Sequence, residues 1–113
     1  MRKSMSKVKP QFKMKIYFEF SEHDESRRQW FMFGEDLHRR VPMQMDGVEG
    51  LNTVGMFIEH AATFNKGDSC EVDCAVIAPE LFESVIEVGS KGKLWDGGFF
   101  ASTEVTKIYS NGW

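Results

Sequence analysis

The side chains that could do chemistry in this chain are two arginine doublets, Arg27-Arg28 and Arg39-Arg40, three histidines, two cysteines and the glycine-bearing stretch "GSKGKLWDGGFF" near its end. A phosphate-cradling loop ends in Gly-Lys-Ser/Thr and opens a helix. Here Gly92-Lys93 runs into Leu94 and a strand pattern, so no nucleotide site is expected. His23, His38, His60, Cys70 and Cys74 show no Cys-x2-Cys or His-x3-His spacing, and no metal or other cofactor is expected. Ser69-Cys70 sits beside Glu71 and Asp73. Neighbouring carboxylates raise a thiol pKa and work against a nucleophile. Asp96 and Glu104 could face each other across the last hairpin, but in a chain with 17 acidic residues such a pair reads as a solvated face.

Recognition is the chemistry that remains. Guanidinium forks suit phosphate and carboxylate. Arg27, Arg28, Arg39 and Arg40 all adjoin predicted loops, where binding residues concentrate. Phe99, beside a turn, is a candidate aromatic anchor for a protein partner. Phe100 follows it, and adjacent strand residues point opposite ways, so one of the two belongs in a core.

The elements that position these residues read as strands. Phe12, Met14, Ile16, Phe18 and Phe20 alternate with Lys13, Lys15, Tyr17 and Glu19, a period of two with one apolar face. Ser21 to Arg28 is wholly polar and reads as an exposed turn. "QWFMF", ending at Phe33, is a second strand and "RRVPMQM" a third, in which Pro42 implies an edge or a bulge. Residues 52–63 fit both a helical and an extended period, and the neighbouring strands favour a strand over 53–59. "CEVDCAVI" alternates again. Cys70 and Cys74 then lie about 13 Å apart on one face, beyond the roughly 7 Å that a disulfide spans. Pro79, Leu81, Phe82, Val85, Ile86 and Gly89 carry the marks of one short helix near 79–88, with an extended crossover as the competing reading. Asp96-Gly97 is a two-residue hairpin signal before the last strand. The sum is an all-β domain, a six- or seven-stranded antiparallel barrel or sandwich.

Six of the 14 Lys and Arg residues and none of the 17 acids fall in residues 1–15, which leaves eight basic against 17 acidic residues in the remainder. Residues 1–10 are therefore expected to form a flexible basic arm on an acidic domain over 11–113. Such an arm could touch RNA, whereas the acidic body argues against wholesale wrapping of nucleic acid. No apolar run approaches the roughly 18 residues of a membrane span. No signal-peptide pattern appears either, so a cytoplasmic protein without membrane contact is expected.

The order of motifs is similar to a known family. From Gly67-Asp68 to Ile108 the chain resembles the C-terminal, third domain of elongation factor Tu-type translation factors. The residues that carry the resemblance are the Lys66-Gly67-Asp68 turn, the strand ending Ile77-Ala78-Pro79, the strand led by Gly89, the acidic Asp96-Gly97-Gly98 turn and the closing Val105-Thr106-Lys107-Ile108. About forty residues are covered. The resemblance implies a six-stranded antiparallel Greek-key barrel without catalytic activity, one that packs on other domains and contacts the tRNA T stem and an exchange-factor partner. The family's acidic-Gly turn lies near the tRNA backbone, a role that carries over to Asp96 and Gly97. The chain departs from the pattern in three places: Phe99 stands where the family has arginine, Ala101-Ser102-Thr103 replaces a Gly-Ala-Gly step, and the segment between Pro79 and Gly89 is longer. The GTPase domain and second barrel are not in this sequence. The expected function is a stand-alone protein-binding barrel. An RNA-binding barrel is the first alternative, and an immunity-type protein neutralising a toxin that targets translation is the second.

Overall fold

The computed structural model describes residues 9–20 and 29–113. Its strands are β1 (Phe12–Phe18), β2 (Trp30–Phe33), β3 (His38–Met45), β4 (Asn52–Phe57), β5 (Ala62–Asn65), β6 (Ser69–Val76), β7 (Lys91–Trp95) and β8 (Phe99–Ile108). Six of them close into an antiparallel barrel in the order β1-β6-β4-β3-β7-β8, while β2 and β5 pair as a separate two-stranded sheet. Within the barrel β3, β4 and β6 succeed one another and β7 returns to lie beside β3, which is the Greek-key order.

Period-two sequence produces this barrel because one face of every strand must leave water. Phe12, Met14, Ile16 and Phe18 of β1 meet Val54 and Met56 of β4, Val72 and Cys74 of β6, and Leu94 and Val105 in one buried cluster. Cys70 and Cys74 are both free, as their separation on β6 predicts. Burial pushes the Cys70 thiol up to about 12 and holds that of Cys74 well above its ordinary value, so neither is a ready nucleophile.

Connections plug both ends. At the end where β1, β4 and β7 begin, Val48, Phe82 and Ile86 are buried. At the opposite end the β2–β5 sheet delivers Phe31, Phe33 and Phe64. The Phe18 ring stacks on Phe64 at 5.1 Å and on Phe31 at 5.8 Å, and Phe100 stacks on Phe31 at 5.4 Å and on Phe20 at 5.6 Å. Aromatic contacts of this kind add about 0.5–1.5 kcal/mol each beyond area burial.

Several expectations change. The "QWFMF" strand is real but belongs to the plug, not the barrel, and its partner β5 had no signal strong enough to read. Pro42 lies on a strand of a closed barrel rather than at an edge. It is tolerated because β7 pairs only with Met43–Met45, so at Pro42 β3 is bonded on the β4 side alone. The helix near 79–88 shrinks to a 3-10 turn, Pro79–Leu81, followed by a turn in which the Ile86 N–H reaches the Phe82 carbonyl at 2.8 Å. Of its apolar stripe, Phe82 and Ile86 are buried while Leu81 and Val85 face solvent. The last hairpin has a three-residue connection, Asp96 to Gly98, in which only Gly97 has positive φ, at 71°. The polar turn Ser21 to Arg28 and residues 1–8 of the basic arm lie outside the described residues. Lys9 and Pro10 pack against Gly112, where an added Cβ would come 2.9 Å from the Pro10 carbonyl.

Candidate partner-binding face

Outward positions on β1, β7 and β8 form one continuous surface, since β8 pairs with both of the others. The registers arrange it in rows. Glu71 of β6 lies opposite Lys15 of β1, Lys15 opposite Glu104 of β8, and Glu104 opposite Lys91 of β7. The next row is Ser69, Tyr17, Ser102 and Lys93. On the other side Asp73 faces Lys13, and Lys13 faces Lys107.

Charge is segregated by this arrangement. Lys13, Lys15, Lys91, Lys93 and Lys107 share the β1–β7–β8 surface with only Glu19 and Glu104. Elsewhere the described residues carry four basic side chains against twelve acidic ones. The Lys91 Nζ to Glu104 contact of 2.8 Å neutralises one pair, and its hydrogen bond raises the lysine pKa. Both groups are solvent-facing, so the pair orders the surface more than it stabilises the fold.

Rings interleave with the lysines. Lys93 Nζ is 5.7 Å from the Phe99 ring centre, Lys15 is 5.2 Å from Tyr17, and Lys107 is 5.4 Å from Tyr109. Phe99 is 48% exposed while Phe100 is buried, so the adjacent pair divides between surface and core as strand geometry demands. Between Tyr17, Asp46, Lys91, Lys93, Ser102 and Glu104 lies a shallow depression of about 170 Å³. It is too open to enclose a drug-sized ligand, and suits a contact with a larger partner. Tyr109 donates its hydroxyl to Asp73 at 2.6 Å; burial and that bond push the phenol up to about 12.

No protein-family model matches this chain, and no curated protein does.

The sequence-selected residues are distributed as follows. Arg27 and Arg28 lie outside the described residues. Arg39 lays its guanidinium 4.2 Å over the buried Phe31 ring and donates from Nη1 to the Met32 carbonyl at 2.6 Å, so it pins β2 to the barrel. Arg40 points to solvent opposite Gly55. Asp96, Gly97 and Phe99 form the β7–β8 hairpin at the same barrel end as Arg39 and Arg40, because β3 begins where its neighbour β7 finishes. The lysine face itself went unread in the sequence. Its signal was the repeated Lys-x-Lys of "KMK" and "KGK", which on a strand sends both lysines to one side. Among the described residues no group of three or more His, Cys, Asp or Glu is placed to hold a metal, and no helix is long and apolar enough to cross a membrane.

Proposed function

We propose that this protein is a non-catalytic binding module, and that its β1–β7–β8 face with Phe99 engages an acidic surface of a partner protein. The observation that carries the reading is the charge segregation: five lysines gathered on three adjacent strands of an otherwise acidic barrel. Such a face steers an acidic partner into register, and an exposed ring at its margin supplies the desolvated contact that charges alone lack. The resemblance to the third domain of elongation factor Tu-type factors belongs to this proposal. A barrel of that kind acting alone in the cytoplasm would mimic the factor, or shield it from a toxin that targets translation.

RNA is the second reading, favoured by the alternation of lysines and rings, which also suits a phosphate backbone with stacked bases. The protein reading is preferred because Tyr17, Phe99 and Tyr109 each already carry a lysine of this chain over the ring. A base would have to displace it. Affinity capture from nuclease-treated lysate, with the wild-type chain and Lys93→Glu/Phe99→Ala as baits, tests the assignment. A protein recovered by the wild type and lost by the variant is the expected result. Identical recovery by both baits, or recovery seen only when the nuclease is omitted, would overturn it.

A further inference from the structure

The opposite barrel end carries a different surface. The β6–β7 connection is held firmly: Phe82 and Ile86 are buried, the Leu81 N–H reaches the Ala78 carbonyl at 3.0 Å, and the Gly89 N–H reaches the Val105 carbonyl at 2.8 Å. On that support Ile77 is 75%, Val88 64%, Leu81 48% and Val85 38% exposed. Leu81, Val85 and Val88 are interleaved along it with the solvent-facing Glu80, Glu83 and Glu87. Val85 lies against the β3–β4 turn, where its Cγ1 stands 2.6 Å from the place a Cβ on Gly47 would take. That turn adds Glu49 to Glu80, Glu83 and Glu87, and no lysine or arginine occurs in residues 76–90 or 47–51. No ion pair joins these four carboxylates to a described residue.

We propose that this acid-rimmed apolar ledge docks a basic amphipathic helix of a partner protein. The chemistry of the occupant follows from the ledge. Apolar side chains interleaved with glutamates are covered by a segment that carries apolar residues and cations on one side, as a basic amphipathic helix does. Four carboxylates without an ion pair require cations along the margins of that segment, and they repel an acidic one. A patch of this composition on a rigid connection is also not explained by folding, since the residues that plug the barrel are the buried Phe82 and Ile86. The ledge is separate from the lysine face, and the two select opposite charges, so either surface can fail its test without touching the other.

The experiment is fluorescence anisotropy with the full chain and a fluorescein-labelled leucine-lysine peptide of about 18 residues, patterned as an amphipathic helix. Saturable binding is expected. Leu81→Gln/Val88→Gln, which leaves the charge unaltered, weakens it about tenfold or more, and Glu83→Lys/Glu87→Lys does the same. Glu35→Lys/Asp36→Lys makes the same change in net charge at the far end of the barrel and leaves the affinity within about twofold. Circular dichroism confirms that each variant is folded. Absence of saturation, indifference to Leu81→Gln/Val88→Gln, or an equal loss in the Glu35→Lys/Asp36→Lys control overturns the proposal. Two other occupants would also overturn it. A dimer in sedimentation that Leu81→Gln/Val88→Gln converts to monomer assigns the ledge to a second copy. A tenfold tighter peptide affinity on Arg2→Gln/Lys3→Gln/Lys7→Gln assigns it to residues 1–8 of this chain.

Discussion

Replacing Gln11 by alanine should destabilise the barrel far more than a polar residue at the head of a strand ordinarily would. Gln11 is only 5% exposed. Its Oε1 accepts the Val76 N–H at 2.7 Å and its Nε2 donates to the Gly112 carbonyl at 2.9 Å. Its backbone N–H meanwhile reaches the Cys74 carbonyl at 2.8 Å, and its carbonyl takes the Tyr109 N–H at 3.0 Å. One side chain thus joins the start of β1 to the end of β6 and to the C-terminal tail. Alanine leaves the buried Val76 N–H without a partner, which costs about 1–3 kcal/mol. The truncated methylene adds about 0.8 kcal/mol. The Gly112 carbonyl is only partly buried and recovers most of its bond from water. The total is about 3 kcal/mol, or roughly 12 °C in Tm for a chain whose unfolding entropy is about 2.1 cal/mol/K per residue. Urea unfolding followed by far-UV circular dichroism measures it. Gln11→Leu separates the contributions, because it restores volume but still strands the Val76 N–H, and it should keep at least about 1 kcal/mol of the loss. A Gln11→Leu variant as stable as the wild type would refute the reasoning.

Two further outcomes follow from buried or half-buried polar groups. Thr103 is 2% exposed and its Oγ1 has no hydrogen-bond partner among the described residues, so Thr103→Val should raise the urea midpoint by the equivalent of about 1 kcal/mol, and a lowered midpoint would contradict this reading. His38 stacks on Phe57 at 4.7 Å, and burial first, then the Arg40 charge, hold its pKa below 6.5. A base with a depressed pKa favours the fold when neutral. The stability His38 lends is therefore present above pH 6.5 and falls away as the pH drops through its folded value. An NMR titration should find the midpoint below 6.5, and Arg40→Gln should move it part of the way back.

What could be read from the sequence was whatever a single strand reports about itself. The alternation of Phe12 to Phe20 gave a strand with its buried face assigned residue by residue, and all five apolar positions are buried. The spacing of Cys70 and Cys74 excluded a bridge for a reason that holds on the folded strand. Features set by two strands together were less legible. Pro42 was confined to an edge or a bulge by a rule about single strands, whereas its tolerance depends on where β7 stops pairing. The stripe of Leu81, Phe82, Val85 and Ile86 had the right period for a helix against a core, yet only Phe82 and Ile86 reach the core, and Leu81 and Val85 face solvent. Asp-Gly signalled a tight turn, but the register shift at Leu94/Trp95 lengthened it to three residues. Arg39 was selected as a recognition residue from its doublet, and only the packing of β2 shows that its guanidinium is spent on Phe31 and Met32.

The lysine face shows how a flaw in a pattern becomes a feature. In β8 the inward positions Ala101, Thr103 and Val105 keep period two, which would turn Lys107 inward as well. The next apolar residue is Ile108, three positions after Val105 rather than two. A strand can absorb that spacing only by adding a residue on one side of the ladder. The register does so: Met14 pairs with Val105 while Lys13 pairs with Lys107, leaving Thr106 as the extra residue of a bulge. Its hydroxyl turns to the Glu71 carboxylate at 3.1 Å. The bulge resets the parity, so Lys107 emerges beside Lys13 and lies over Tyr109 instead of entering the core. Without it a slip of one residue would exchange the two faces of the strand end. The same local irregularity therefore closes the barrel without burying a charge and adds the fifth lysine to the surface on which the binding proposal rests.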